Sequence, residues 1–286
     1  MQRNTLTLGA VAYDPKVVTI WDGFQAWFAT QGFAFDYVLY TSYERQVRGH
    51  LRGECDLTWN SPLAWLQTER IARRLGRTAR AVAMRDTDRD LRSVVVVRAD
   101  STVKTLDDLR GRAVAVGAAD SPQATLIPLD HLAAAGLTPE RDFAVRRFDV
   151  LLGKHGDHIG GERDAARALM DGSVDAVCLL DANHLGFSRD GTLAPGATRV
   201  LSETALYDHC CFTALDDAPA ALLDRFVSLL LGQRHDDPAV RHLMDLEGLR
   251  AWVAGRTEGF AALTAAIDRF GTVDPFVNAV VAEHGR

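Results

Sequence analysis

Short apolar runs alternate along this chain with longer stretches whose apolar residues return every three or four positions, roughly the periodicities of buried strands and amphipathic helices. Thr5 to Val11 reads as a strand and Pro15 to Gln31 as a helix, whose Trp21, Phe24, Trp27 and Phe28 form a stripe that faces a core. Phe33 to Leu39 is a second strand, Tyr43 to Arg52 a helix and Cys55 to Trp59 a third strand. Asn60-Ser61-Pro62 then opens a helix that runs through Leu75. Val94 to Arg98 is almost pure valine, as in a strand covered on both faces.

After that strand the alternation restarts. Lys104 to Val116, a helix from Gln123 to Ala135, the strand Ala144 to Phe148, the helix Glu162 to Asp171 and the strand Ala176 to Leu180 form a second, smaller α/β set. A Gly/Pro-rich break at Gly191 to Gly196 follows, and Thr198 to Ser202 is expected to return to the first set. Helices at Ala218 to Leu231, Pro238 to Leu246 and Phe260 to Phe270 close the chain. Alternation of this kind gives mixed, mostly parallel sheets flanked by helices. The simplest arrangement is two lobes, residues 1–96 plus 198–286 and residues 97–197, with crossing segments near 93–98 and 198–215. No solenoid repeat or low-complexity segment interrupts it.

Within the second lobe, Leu106 to Phe143 (LDDLRGRAVAVGAADSPQATLIPLDHLAAAGLTPERDF) carries the most telling junction. The strand Val114 to Gly117 turns through Asp120-Ser121-Pro122 into a helix that ends at Gly136, with Ser121 as N-cap and Pro122 at the first helical position. The free amides and dipole of such a helix start attract a phosphonate, phosphate ester, sulfonate or carboxylate, although an ordinary cap has the same appearance.

Composition narrows the partners. The 286 residues are 47% hydrophobic and 24% charged, with a formal net charge of -6, and no dense basic run is present, which argues against a nucleic-acid partner. No apolar run approaches the roughly 20 residues of a transmembrane segment. Met1-Gln2-Arg3-Asn4 stands directly before the first strand, so the expected location is cytoplasmic if Met1 is the native start, and periplasmic or lipid-anchored if a signal has been removed. Cys55 and Cys178 read as small core residues, and the adjacent Cys210 and Cys211 as free thiols, which favours a reducing compartment.

The segments LRGECDLTWNSPLAWLQ, SVVVVRADSTVKTLDDLRGRAVAVGAADSPQATLIPLDHLAAAGLTPERDF, ARALMDGSVDAVCLLD and LEGLRAWVAGRTEGFAAL occur in an order that resembles the phosphonate-type, PhnD-like substrate-binding proteins of the type 2 periplasmic-binding-protein superfamily. The resemblance covers nearly the whole chain and implies a two-lobed fold with its ligand cleft between the lobes, at the carboxyl ends of strands. It implies binding of a small anionic or zwitterionic molecule as the solute-binding component of an ABC-type transporter, with a membrane permease as partner. Carried over by position, Tyr13 resembles the aromatic wall and Asn60 and Ser61 the polar helix start. Ser121, Gln123 and Ala124 fall where the family has its hydroxyl-rich anion loop, and Asp181 where an acidic residue meets a ligand amine. The run here is Ser-Pro-Gln-Ala, with fewer side-chain donors than the family pattern.

A second constellation is foreign to that pattern. Gly153-Lys154-His155-Gly156-Asp157-His158-Ile159-Gly160-Gly161-Glu162 places two histidines at a helix mouth, and Asp208-His209-Cys210-Cys211 lies at the returning crossover. His155, His158, His209 and Cys210 have the donor types for a transition metal such as zinc or iron. The same histidines can instead contact an organic or oxyanion ligand, or the loop can be structural. His184 follows Asp181 closely enough to line the cleft. His50, His131, His235, His242 and His284 read as packed or solvent-facing, and Arg70, Arg73, Arg74, Arg77 and Arg80 as a solvated helix face.

Two functions stay open. One is the solute-binding protein, anchored by amide donors at the helix from Pro122 with Asp181 opposing a cation. The other is a cytoplasmic enzyme of small-molecule biosynthesis on the same fold, in which His155, His158 and His209 bind a metal or move protons and Cys210 or Cys211 acts as ligand or nucleophile. No GxSxG, phosphate-binding loop or GxGxxG in a fitting context points to another chemistry.

Overall fold

A computed structural model describes residues 4–157 and 160–284. Contacts divide the chain into two units: Met1–Arg89 with Asp208–Phe260 and Thr272–Arg286, and Asp90–Tyr207 with Ala261–Gly271.

The first unit opens with β1 (Leu6–Val11), α1 (Lys16–Thr30), β2 (Phe35–Tyr40), α2 (Tyr43–Leu51), β3 (Leu57–Asn60), α3 (Pro62–Arg74) and β4 (Ala79–Arg85). In α1 the buried residues Val17, Ile20, Trp21, Phe24 and Phe28 recur at helical spacing, while Trp27 is only half-buried. Their stripe packs on Trp59, Phe212, Phe226 and Trp252, with Phe35 stacked on Phe226 at 5.9 Å between ring centroids.

The second unit holds β5 (Ser93–Arg98), β6 (Ala113–Val116), α4 (Ile127–Ala134), β7 (Ala144–Arg147), α5 (Gly160–Met170), β8 (Ala176–Leu180), α6 (Asp181–Asp190) and β9 (Thr198–Glu203). Its five-stranded sheet has the order β7-β6-β8-β5-β9. The valines of β5 alternate between layers, Val95 and Val97 packing with Val114, Val116 and Leu132, and Val94 and Val96 with Ala165, Leu169 and Val177. That two-sided cover is why the strand has no polar residue between Ser93 and Arg98.

The chain returns to the first unit for β10 (Cys211–Leu215), α7 (Ala220–Leu231), α8 (Pro238–Glu247) and β11 (Trp252–Ala254). Next, α9 (Ala261–Phe270) joins the second unit and α10 (Asp274–His284) the first. The first unit's six-stranded sheet has the order β11-β4-β10-β3-β1-β2. The mixed α/β architecture with two helix-flanked sheets is the one expected, but the sheets are not mostly parallel: among the described residues β10, β11, β5 and β9 pair antiparallel with their neighbours.

Several local expectations change. Thr198 to Ser202 does not return to the first sheet, because β9 pairs antiparallel with β5 at the second sheet's edge. The units therefore divide after Arg89 and Tyr207, where the sequence had suggested breaks after residues 96 and 197, and Ala261–Gly271 moves to the second. Arg80 lies in β4, not on a helix: α3 ends at Arg74 and Gly76 takes a φ of 70°. The helix expected from Gln123 begins as a π-turn over Pro122–Leu126. No helix of the described residues is long and apolar enough to cross a membrane.

Candidate functional site

In the first unit β1, β2 and β3 are parallel, and the antiparallel β10 starts where β3 ends, with Cys211 opposite Asn60. The same edge therefore collects Tyr13 after β1, Asn60 at the end of β3 and Ser61 after it, residues 86–88 after β4, and His209 and Cys210 before β10. Tyr13 is half-buried against the core, with Lys16 Nζ 5.9 Å from its ring centroid. Asn60 is fully buried and tied on both ends of its amide, donating to Thr213 Oγ1 at 3.0 Å and accepting from Gln46 Nε2 at 2.7 Å. Ser61 caps α3 by accepting the Ala64 amide at 3.1 Å.

Beside them lies a buried ionic cluster that sequence reasoning missed. Arg85 clasps Asp88 with Nε and Nη2 at 2.6 and 2.9 Å and reaches Glu247 Oε2 with Nη1 at 3.0 Å. Burial alone would raise the Asp88 carboxyl, but the charge of Arg85 and the bonds from His209 and Arg85 bring it down to about 2. His209 Nδ1 stands 3.5 Å from Asp88 Oδ1 and 3.1 Å from Cys210 Sγ. Asp208 is held by both Nε and Nη2 of Arg256 at 2.6 Å.

The corresponding edge of the second unit is built around the loop after β6. Pro128 has no amide to give the carbonyl of Ala124, which accepts the amide of Gly117 at 3.2 Å instead. A Cβ on Gly117 would come within 2.8 Å of Ala124 Cβ, so this approach requires glycine. Ser121 satisfies most of the helix start itself: its Oγ accepts from Ala124 at 3.2 Å and its carbonyl accepts from Thr125 at 3.2 Å and Leu126 at 2.9 Å. From below, Ser93 Oγ donates to the Gln123 carbonyl and lies 2.6 Å from the Tyr207 hydroxyl.

Residues 149–157, which follow β7, cover this turn. Gln123 Nε2 donates to the Gly156 carbonyl at 2.6 Å. Two carboxylates cross-link the segments: Asp149 Oδ1 accepts the Ala119 amide at 2.8 Å, and Asp120 Oδ2 accepts the amides of Gly153 at 2.6 Å and His155 at 3.4 Å. The covering segment reaches these bonds by taking positive φ at Leu151, Gly153, His155 and Gly156. Ser121, Gln123 and His155 are consequently only 1%, 3% and 0% exposed. Asp120 Oδ1 is buried and accepts no hydrogen bond from a described residue. Burial moves the Lys154 ammonium below its ordinary range, with Asp157 opposing.

The sequence-predicted residues are thus divided between the two units. Ser121, Gln123, Ala124, His155 and Asp181 belong to the second unit, and Tyr13, Asn60, Ser61, His209 and Cys210 to the first. His158 lies outside the described residues. Of the expected metal set, His209 and Cys210 converge with Asp88 in the first unit, and His155 is buried in the second. Of the helix-start amides expected to hold an anion, those of Ala124, Thr125 and Leu126 donate to Ser121. Asp181 opens α6, half-buried, and His184 one turn on bonds Thr198 Oγ1 at 3.1 Å. Burial pushes the Cys211 thiol up to about 12, which removes it as an activated nucleophile. Asp88 and Asp120 offered no motif in the sequence, since each acquires its role from a partner segment folded against it.

A family model described as the phosphonate periplasmic substrate-binding protein of ABC transporters matches residues 10–260. Among solved structures, PhnD1 of Prochlorococcus marinus in complex with methylphosphonate superposes with a TM-score of 0.68 at 17% identity, covering 94% of this chain and 98% of that one. A binding-protein component of a phosphonate ABC transporter from Pseudomonas aeruginosa gives 0.58 at 13% identity with 100% of both chains covered. The aliphatic sulphonate-binding protein SsuA of Escherichia coli gives 0.54 at 18%, covering 95% of this chain and 88% of the other. A search of curated proteins gave no match.

Proposed function

Since the chain belongs to the family of periplasmic phosphonate substrate-binding proteins of ABC transporters, we propose that it delivers to a permease a small zwitterion, a molecule with a phosphonate- or sulfonate-like end and an ammonium end. The observation that carries the ammonium is Asp120. Directly before the run that matches the family's hydroxyl donors, the Asp120 carboxylate has one oxygen engaged by Gly153 and His155 and the other buried without a donor among the described residues. A buried carboxylate oxygen in that state gains most from a cation. Asp181 stands at the same edge of the second unit, at the carboxyl end of β8, and adds negative charge there.

The anionic end has fewer partners. Ser121 keeps its hydroxyl proton while its oxygen caps the turn, and Lys154 supplies a cation on the covering segment. Tyr13 and Ser61, at the carboxyl edge of the first unit's strands, are the ligand contacts we assign there. The enzymatic reading draws no support from the thiol of Cys211, which burial keeps protonated.

Isothermal titration with methylphosphonate, an alkylsulfonate, an aminoalkylphosphonate and an aminoalkylsulfonate tests the assignment. The amino compounds should bind at least about tenfold more tightly than their unsubstituted counterparts, as expected for one charge-assisted bond. Equal affinities would remove the ammonium, and no binding by any of the four would remove the small-anion reading altogether.

A further inference from the structure

We propose that Asp88, His209 and Cys210 form a zinc-binding site in the first unit, separate from the recognition of the transported solute. The site follows from the sheet. β4 and β10 are antiparallel neighbours, so the turn that leaves β4 and the segment that enters β10 meet at one end. The His209 amide donates to the Asp88 carbonyl at 2.8 Å and fixes that meeting. One carboxylate oxygen, one imidazole nitrogen and one thiol sulfur then lie within 4.8 Å of one another, all three residues buried.

The spacing suits a tetrahedral ion. With metal–ligand bonds of about 2.0–2.3 Å, neighbouring donors of a zinc tetrahedron stand roughly 3.3–3.8 Å apart. His209 Nδ1 is 3.5 Å from Asp88 Oδ1 and 3.1 Å from Cys210 Sγ, and the third pair stands within 4.8 Å, so displacements of about an ångström or less separate the observed arrangement from coordination. Mixed oxygen, nitrogen and sulfur donors favour zinc over the hard cations.

Charge and support agree. Zinc with the Cys210 thiolate and the Asp88 carboxylate is neutral, the thiol proton leaving to solvent on binding. Arg85 is left beside Glu247, with which it already makes a 3.0 Å ion pair, so a neutral ion pair backs a neutral metal centre. The Arg85 fork on both Asp88 oxygens fixes the plane of the ligating carboxylate.

The test uses the full chain purified without a histidine tag and stripped with chelator. Cobalt(II), as a spectroscopic stand-in, should bind at one equivalent with a thiolate-to-metal charge-transfer band, and zinc should displace it. Cys210→Ser should lose that band and weaken zinc at least about tenfold. His209→Ala should weaken zinc likewise, with far-ultraviolet circular dichroism as the check that both variants fold. X-ray absorption on the zinc-loaded wild-type chain needs no variant, and one sulfur at about 2.3 Å is expected. Absence of stoichiometric uptake, an all-nitrogen-and-oxygen shell, or full affinity in a folded Cys210→Ser chain would each overturn the site. A phosphonate titration that fails leaves these readouts untouched, so this proposal and the transport reading stand or fall separately.

Discussion

Gly117 donates its amide to the carbonyl of Ala124, a bond that exists because Pro128, four residues further on, has no amide to offer. This one substitution of donors draws the strand's end against the helix it precedes and fixes the loop between them. Gly117→Ala should therefore force apart two Cβ atoms that would stand 2.8 Å from each other. The expected cost is about 1–3 kcal/mol, read as a lower urea midpoint with an unchanged slope; an unaltered midpoint would show that the loop accommodates a side chain.

The covering segment is expected to loosen when its side-chain tie is cut. Gln123→Ala removes the donor to the Gly156 carbonyl and should cost about 1 kcal/mol. Amide exchange at Gly153 and His155, which depend on the same closure, should accelerate by about fivefold. Exchange rates equal to wild type would mean that the two aspartates alone hold the segment.

Asp120→Asn keeps an oxygen for the Gly153 and His155 amides but removes the charge. The affinity for an aminoalkylphosphonate should fall about ten- to a hundredfold, or roughly 1.5–3 kcal/mol, while methylphosphonate binds no more weakly than before. Parallel loss for both ligands in titration calorimetry would mark Asp120 as a structural residue only.

His50 sets a pH dependence of stability. Burial lowers its imidazole from the ordinary value of 6.5 to about 4, and its Nε2 has no hydrogen-bond partner among the described residues. The folded chain thus resists a proton that the unfolded chain accepts below about pH 6.5. The His50 contribution to stability should fall as the pH drops from about 6.5 to about 4 and level off below, by on the order of 3 kcal/mol at about 1.4 kcal/mol per pH unit. Asp88 does not mask this, because its own contribution is lost only as the pH falls toward about 2. Urea midpoints measured across this range for wild type and His50→Leu should differ in slope; identical pH profiles would exclude His50 as the source.

What the sequence made legible was local. Ser121 with Pro122 announces a capped turn because the cap, its acceptor and the proline lie within a few residues, and the valine run of β5 announces two-sided burial. Strand pairing is a different matter. Thr198 to Ser202 has the same appearance whether it joins one sheet or the other, and only its register with β5 decides. β4, reading Ala-Arg-Ala-Val-Ala-Met-Arg, continues the arginine spacing of α3, so the break at Gly76 was hidden. Asp149 and Ala119, or Asp88 and His209, become partners through folding that brings distant segments together. A carboxylate's chemistry there depends on which amide or guanidinium it meets, and no spacing rule encodes that.

The four cysteines carry a consequence for where such a chain can survive. All are buried as free thiols, and burial raises Cys55, Cys178 and Cys211 to about 12. Thiols in that condition present almost no thiolate to an oxidant or a disulfide catalyst. The presence of these three is thus no signature of a reducing compartment, because thiols sealed in this way keep the same covalent state in oxidising and in reducing surroundings. Their vulnerable moment is the interval before folding closes, when the same residues are open to cross-linking.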